Sequence, residues 1–207
     1  MTENVQKKIT WYHNLNKIAV KGNIVFAGST FVQNFPIQEL ERNFCVEQNV
    51  YNRGISGLTI ADFKESLSAC IFDLEPSKIF LNIGEEDVNT VTFNEVMFVT
   101  EYLQIIKEIK KELPLARIYV IGLLPTVNGY KKINKALQHS VCGCGCEFID
   151  FENVLLDSNS CLKKCYKSDC SAISPSAYVA ILRDLKMFFR NRMMGFGDVW
   201  NMVENWS

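Results

Sequence analysis

Residues 78–83 read Lys78-Ile79-Phe80-Leu81-Asn82-Ile83, a short and almost unbroken apolar run. Residues 117–124 repeat the character as Arg117-Ile118-Tyr119-Val120-Ile121-Gly122-Leu123-Leu124 and stop at Pro125. A strand with one wet face alternates apolar and polar residues. These runs do not alternate, so they read as strands buried on both faces, the habit of a parallel sheet covered by helices.

Working outward, the neighbouring segments fit that sheet. Residues 23–28 form an earlier apolar strand, 46–53 contain a second, and 147–151 form a fifth. Between them lie segments of helical spacing. Residues 58–72 place Ile60, Phe63, Leu67, Cys70 and Ile71 on one side, and residues 93–113 form a long helix stopped by Pro114. Residues 131–140 are helical, and 176–192 form the last long helix, entered through Pro175. Strands alternating with helices predict an α/β fold with a five-stranded parallel sheet. No internal repeat or low-complexity linker interrupts 1–207, so the chain reads as one domain. Residues 1–22 read as a leading helix with Trp11, Tyr12, Leu15 and Ile18 as its apolar stripe. In the C-terminal tail, 193–207, Trp200, Val203 and Trp206 have helical spacing. That tail reads either as a strap on its own domain or as a partner-docking helix, which leaves homo-oligomerisation open.

Composition narrows the function classes. The chain has 207 residues, 48% of them hydrophobic, and a formal net charge of −1. A chain this long buries roughly 70% of its unfolded surface and needs no staples to fold. The charge balance offers nucleic acid no basic face, and no apolar run approaches the ~18 residues of a membrane span. The polar start, MTENVQKKITWYHNLNK, lacks the apolar core of an export signal, so a cytoplasmic location is expected. The eight cysteines then read as thiols. Cys142, Cys144 and Cys146 form a CxCxC that would run straight into a strand; the usual zinc spacing differs, and buried or idle thiols are expected in place of a metal. No cofactor is expected.

Open sheets of this kind bind ligands outside the carboxyl ends of their strands. That rule selects Gly28-Ser29-Thr30, Arg53 to Gly57, Gly84 to Asp87, and the loop 167–175 before the last helix.

In those four places the sequence resembles the SGNH hydrolases, also called GDSL esterases and lipases. NIVFAGSTF is similar to the family's strand ending in Gly-Asp-Ser, and VYNRGISGLTIADF to its Asn-Arg-Gly-Ile-Ser-Gly block. KIFLNIGEEDV is similar to the block that usually reads Gly-x-Asn-Asp, and DCSAISPSAY to the final Asp-x-x-His block. The resemblance runs from about residue 10 to residue 190. It implies a three-layer α/β/α sandwich of flavodoxin-like type and an ester hydrolase with a Ser-His-Asp triad.

Carried over position by position, the resemblance puts the nucleophile at Thr30 and the Asp of Gly-Asp-Ser at Ser29. It puts the oxyanion-hole Gly at Gly54, the oxyanion-hole Asn at Glu86, the orienting Asp at Asp169, and the general-base His at Ala172. A hydroxyl nucleophile needs a neighbour that takes its proton, and Ala172 cannot. His13 and His139, the two histidines, lie in other blocks. Thr30 keeps the hydroxyl but adds a β-methyl that restricts χ1; alternatively Ser29 or Thr30 simply caps the following helix. Losing one oxyanion donor costs ~2.7–4 kcal/mol of transition-state stabilisation, and an ionised Glu86 adds like charge. Only a protonated Glu86 could donate; the simpler expectation is that it points outward or meets a cation. Asp87 is expected to serve the turn.

The chain is therefore expected to have lost ester hydrolysis and to keep a pocket rimmed by Glu85, Glu86, Asp87 and Asp169. Such a rim suits a small cationic or hydroxyl-rich ligand. The alternative is an active esterase that uses Thr30 or Ser29 in a rebuilt site.

Overall fold

The two opening runs are adjacent parallel strands in the computed structural model of the chain, which describes residues 1–43, 48–169 and 172–189. The strands are β1 Ile24–Gly28, β2 Val50–Gly54, β3 Lys78–Asn82, β4 Arg117–Ile121 and β5 Glu147–Ile149. They form one sheet in the order β2-β1-β3-β4-β5, with every pairing parallel. The early helices are α1 Glu3–Asn16, α2 Thr30–Gln33, α3 Ile37–Asn43, α4 Ile60–Glu65 and α5 Leu67–Cys70. The later ones are α6 Glu85–Val88, α7 Glu95–Glu112, α8 Tyr130–Cys142, α9 Glu152–Leu155 and α10 Pro175–Phe189.

The central strands are buried on both sides, as their composition demands. Val25 and Ala27 of β1, Ile79 and Leu81 of β3, and Ile118 and Val120 of β4 pack with α1, α4, α5, α7 and α8. Ile24 and Phe26, Phe80, and Tyr119 and Ile121 point the other way, against α2, α9 and α10. Register aligns Phe26 with Phe80 and Phe80 with Tyr119. Their rings therefore stack across the sheet at 4.6 and 4.8 Å, with Phe189 edge-on to Phe80. The three layers are those of a doubly wound α/β sandwich.

Lys78 opens β3 yet is 2% exposed. Its ammonium donates to the Phe189 carbonyl at 2.5 Å, at the end of α10, where a cation meets the negative end of the helix dipole. Burial, helped by the nearby Arg117 charge, lowers its pKa.

Two expectations need correcting here. The buried stripe of α1 is Val5, Ile9, Tyr12 and Asn16. Trp11 and Ile18 are 58% and 82% exposed, and Ile18 lies past the helix end. The spacing of 4, 3 and 4 residues follows a helical stripe, but Asn16 is polar and hid its last member. The predicted helix over 58–72 is broken at Ser66 into α4 and α5, followed by a 3-10 turn over Phe72–Leu74, although its expected apolar side is buried. The CxCxC does lead straight into β5, but it is not itself extended: Cys142 closes α8, Cys144 sits in the turn, and Cys146 directly precedes the strand. Cys70 and Cys146 are buried, and burial pushes the Cys70 thiol up to about 12, which makes it unreactive. Among the described residues no group of three or more His, Cys, Asp and Glu is placed to hold a metal ion. None of the described helices is long and apolar enough to cross a membrane. The C-terminal tail, 193–207, lies outside the described residues.

Candidate functional site

The carboxyl ends of β1, β2 and β3 meet at one level, with Gly28 aligned to both Gly54 and Asn82. This is the point where the chain's strand order reverses, between β1 and β3. Gly28 has φ +147, and a Cβ there would stand 1.7 Å from the Asn82 carbonyl oxygen. The close approach lets the Ser29 N–H donate to that oxygen at 3.0 Å. The chain then turns into α2, whose first residue is Thr30.

Thr30 is half-buried, and its hydroxyl has two partners. Ser56 Oγ lies 2.8 Å away, and Glu86 Oε1 accepts at 3.4 Å. Hydroxyl hydrogen bonds cluster near 2.7–2.8 Å, so Ser56 is the strong partner and Glu86 the weaker one. Ser56 is itself fixed, because its N–H donates to Gln33 Oε1 at 2.9 Å. Ser56 lies inside the stretch Arg53 to Gly57 that the carboxyl-end rule selects, two residues past the end of β2, but no role was expected of it.

Ser29 is fully buried, its Oγ has no hydrogen-bond partner among the described residues, and it makes no capping bond. The Thr30 hydroxyl is engaged with Ser56 and Glu86, so neither hydroxyl is found capping α2, contrary to the capping alternative. Glu86 does not point away from the site: α6 starts directly after Gly84, φ +117, and aims its carboxylate at Thr30. Asp87 serves structure beyond its own turn, since both its oxygens accept from the N–H of Ile60, the first residue of α4, at 3.2 and 3.0 Å. Glu85 is half-buried, and burial followed by the Glu86 charge raises its pKa. Its charge in turn reaches Tyr178 of α10, whose hydroxyl is pushed up to about 12, mainly by burial.

Gly54 is closed on both backbone groups. Its N–H donates to Asn52 Oδ1 at 2.9 Å, and its carbonyl accepts from the Tyr12 hydroxyl at 2.6 Å. A Cβ on Gly54 would stand 2.1 Å from the Gln33 nitrogen. Gly54 thus permits close packing of β2 on α2 and offers no free donor. Gly57, which is exposed with φ +77, has an N–H without a partner among the described residues. Asp169 and Ala172 are both exposed, on either side of residues outside the described set.

No imidazole reaches Thr30. His13 Nδ1 pairs with Asp73 Oδ2 at 2.7 Å, and His139 is exposed near the end of α8. The site is therefore a hydroxyl pair beside a carboxylate. It can accept hydrogen bonds from a ligand or bind a cation; for an oxyanion, its acid carries the wrong sign.

No protein-family model matches the chain, and no curated protein matches it. Solved structures do. A Streptococcus pneumonia protein, provisionally described as a platelet activating factor, is 28% identical with TM-score 0.81, over 91% of this chain and 94% of that one. A GDSL-like lipase from Bacteroides thetaiotaomicron is 17% identical with TM-score 0.71, over 87% and 96%. An acetylxylan esterase from Geobacillus stearothermophilus is 15% identical with TM-score 0.63, over 84% and 99%.

Proposed function

We propose, for a chain that has the fold of the SGNH (GDSL-type) hydrolases, a ligand-binding role that keeps the esterase pocket without its acyl-transfer chemistry. The observation that carries the reading is the company of the Thr30 hydroxyl, which is Ser56 and Glu86 and no histidine. A threonine hydroxyl is a weak nucleophile unless a base takes its proton. The position of the family base is an alanine, and the position of the oxyanion amide is an acid. Both changes act against one reaction. The ligand expected in this pocket is small and cationic or hydroxyl-rich, because the groups facing it are hydroxyls and carboxylates.

The test is hydrolysis of p-nitrophenyl acetate by the purified full-length chain. No turnover above the buffer rate is expected. Turnover that disappears in Thr30→Ala would overturn the reading.

The 3.4 Å contact favours a second reading. A carboxylate within reach of a hydroxyl can take its proton, so Thr30 with Glu86 as base would make an esterase of altered type. In that case Glu86→Gln would abolish turnover while leaving the fold intact.

A further inference from the structure

A half-open pocket of about 300 Å³, sharing no residue with the Thr30 site, lies between α8 and β5 with the segment that follows it. Helix α8 contributes Lys131, Asn134, Lys135 and Gln138, which share one helical stripe. The opposite wall carries Phe148, Asp150, Glu152 and Asn153. The volume is at the lower end of small-molecule pockets.

The floor is fixed. Asn134 is 7% exposed, and its amide makes a closed pair with the Leu123 backbone, accepting at 2.8 Å and donating at 2.9 Å. Gly122 leaves room for both floor residues, since a Cβ there would meet Asn134 Nδ2 and the Phe148 ring, each at 2.8 Å. The walls are different. The side chains of Lys135, Gln138 and Asn153 have no hydrogen-bond or ion-pair partner among the described residues. Glu152 meets Lys131 at 4.0 Å and the Tyr130 hydroxyl, and Asp150 Oδ1 accepts from the Glu152 N–H at 3.1 Å.

The charges in this lining cancel: two ammonium groups face two carboxylates. An anion would meet the carboxylates and a cation the ammoniums, so neither has a net attraction. Free donors and acceptors spaced around an apolar ring instead match a neutral ligand with several hydroxyls and one less polar face. A fixed floor lowers the ordering cost of taking it up. We propose that this cavity is a binding site for a neutral saccharide unit, held by Lys135, Gln138, Asn153 and the two carboxylates, with its ring against Phe148. The site is independent of the chemistry at Thr30.

The test is titration of the 15N-labelled full-length chain with glucose, galactose, xylose and N-acetylglucosamine, and separately with inorganic phosphate. At least one sugar is expected to move the signals of Lys135, Gln138 and Asn153 saturably, with phosphate leaving them in place. Gln138→Ala combined with Asn153→Ala, both exposed side chains, is expected to weaken that binding tenfold or more while the remaining spectrum is unchanged. The proposal is overturned by any of three results. These are no saturable shift with any of the four sugars, shifts with phosphate alone, or sugar-dependent shifts confined to Thr30 and Ser56.

Discussion

Thr30 Oγ1 and Glu86 Oε1 lie 3.4 Å apart, brought together from the ends of β1 and β3 across 56 positions of sequence. The pairing explains why the turn after β1 keeps a hydroxyl without being an obvious nucleophile. The stronger bond of that hydroxyl, 2.8 Å to Ser56, engages it sideways. Its other neighbour, Glu86, is a carboxylate and can only accept from it when ionised.

On the proposed reading, restoring ester hydrolysis should need more than one residue. In a Thr30→Ser, Ala172→His background, changing Glu86→Asn is expected to raise p-nitrophenyl acetate hydrolysis by about 10²-fold or more, the usual worth of one oxyanion donor. On the same reading, with Ala172 at the base position, Glu86→Asn in the native chain should give no turnover. Initial rates of the variants side by side decide it. Equal rates with and without Glu86→Asn in the repaired background would show that Glu86 does not oppose the reaction.

Much of this arrangement was legible in the sequence, and the rest was hidden for identifiable reasons. β3 and β4 were readable because burial on both faces leaves their runs almost wholly apolar, with no alternation of polar residues along them. The carboxyl-end rule then placed Thr30, Gly54 and Glu86 at one level before any contact was known. Side-chain direction was beyond such reasoning. Asn52 turns back to take the Gly54 N–H, and Ser56 reaches Thr30, through tertiary contacts that no periodicity encodes. The α1 stripe failed differently: Trp11 looks like a core residue, but the helix turns it outward and buries Asn16 for its amide, which donates to the Ala69 carbonyl at 2.8 Å.

Glu85 supplies a pH prediction. Burial first, and the Glu86 charge second, hold its pKa above the ordinary carboxylate value. A carboxyl with a raised folded pKa binds its proton more tightly folded than unfolded, so its contribution is full at low pH and is lost as pH rises through the folded value. Glu85→Gln removes that loss. It should raise Tm at pH 7 and give no gain near pH 3.5, below the ordinary Glu value of about 4.3. Thermal melts followed by circular dichroism at the two pH values test this; an equal gain at both would mean the effect is not ionisation.

Two glycines at positive φ should respond unequally. Gly28→Ala would drive a Cβ to 1.7 Å from a carbonyl oxygen inside the sheet, and should cost more than about 4 kcal/mol, at the severe end for single substitutions. Gly57→Ala, with φ +77, meets nothing within 4 Å. It should cost only the left-handed backbone strain of about 1–2 kcal/mol. Urea unfolding midpoints separate the two. Comparable losses would mean that the close approach at Gly28 relaxes at little cost.

The last prediction concerns how α1 braces the pocket. Tyr12 donates to the Gly54 carbonyl at 2.6 Å, and its ring lies 4.9 Å from the Arg53 guanidinium. Arg53 is 4% exposed, has no carboxylate partner among the described residues, and is held by Asn16 Oδ1 at 3.0 and 2.8 Å. Tyr12→Phe keeps the ring over Arg53 and strands one buried carbonyl, which should cost about 1–3 kcal/mol. Asn16→Ala takes the acceptor away from a buried cation and should cost at least as much, since a hydrogen bond to a charged group outweighs a neutral one. Because Gly54 leads directly to Ser56, Tyr12→Phe should also speed amide exchange over residues 54–57 more than in β3. Chemical denaturation with hydrogen exchange measures both effects. A loss of stability with uniform exchange along the chain would reduce Tyr12 to a packing residue.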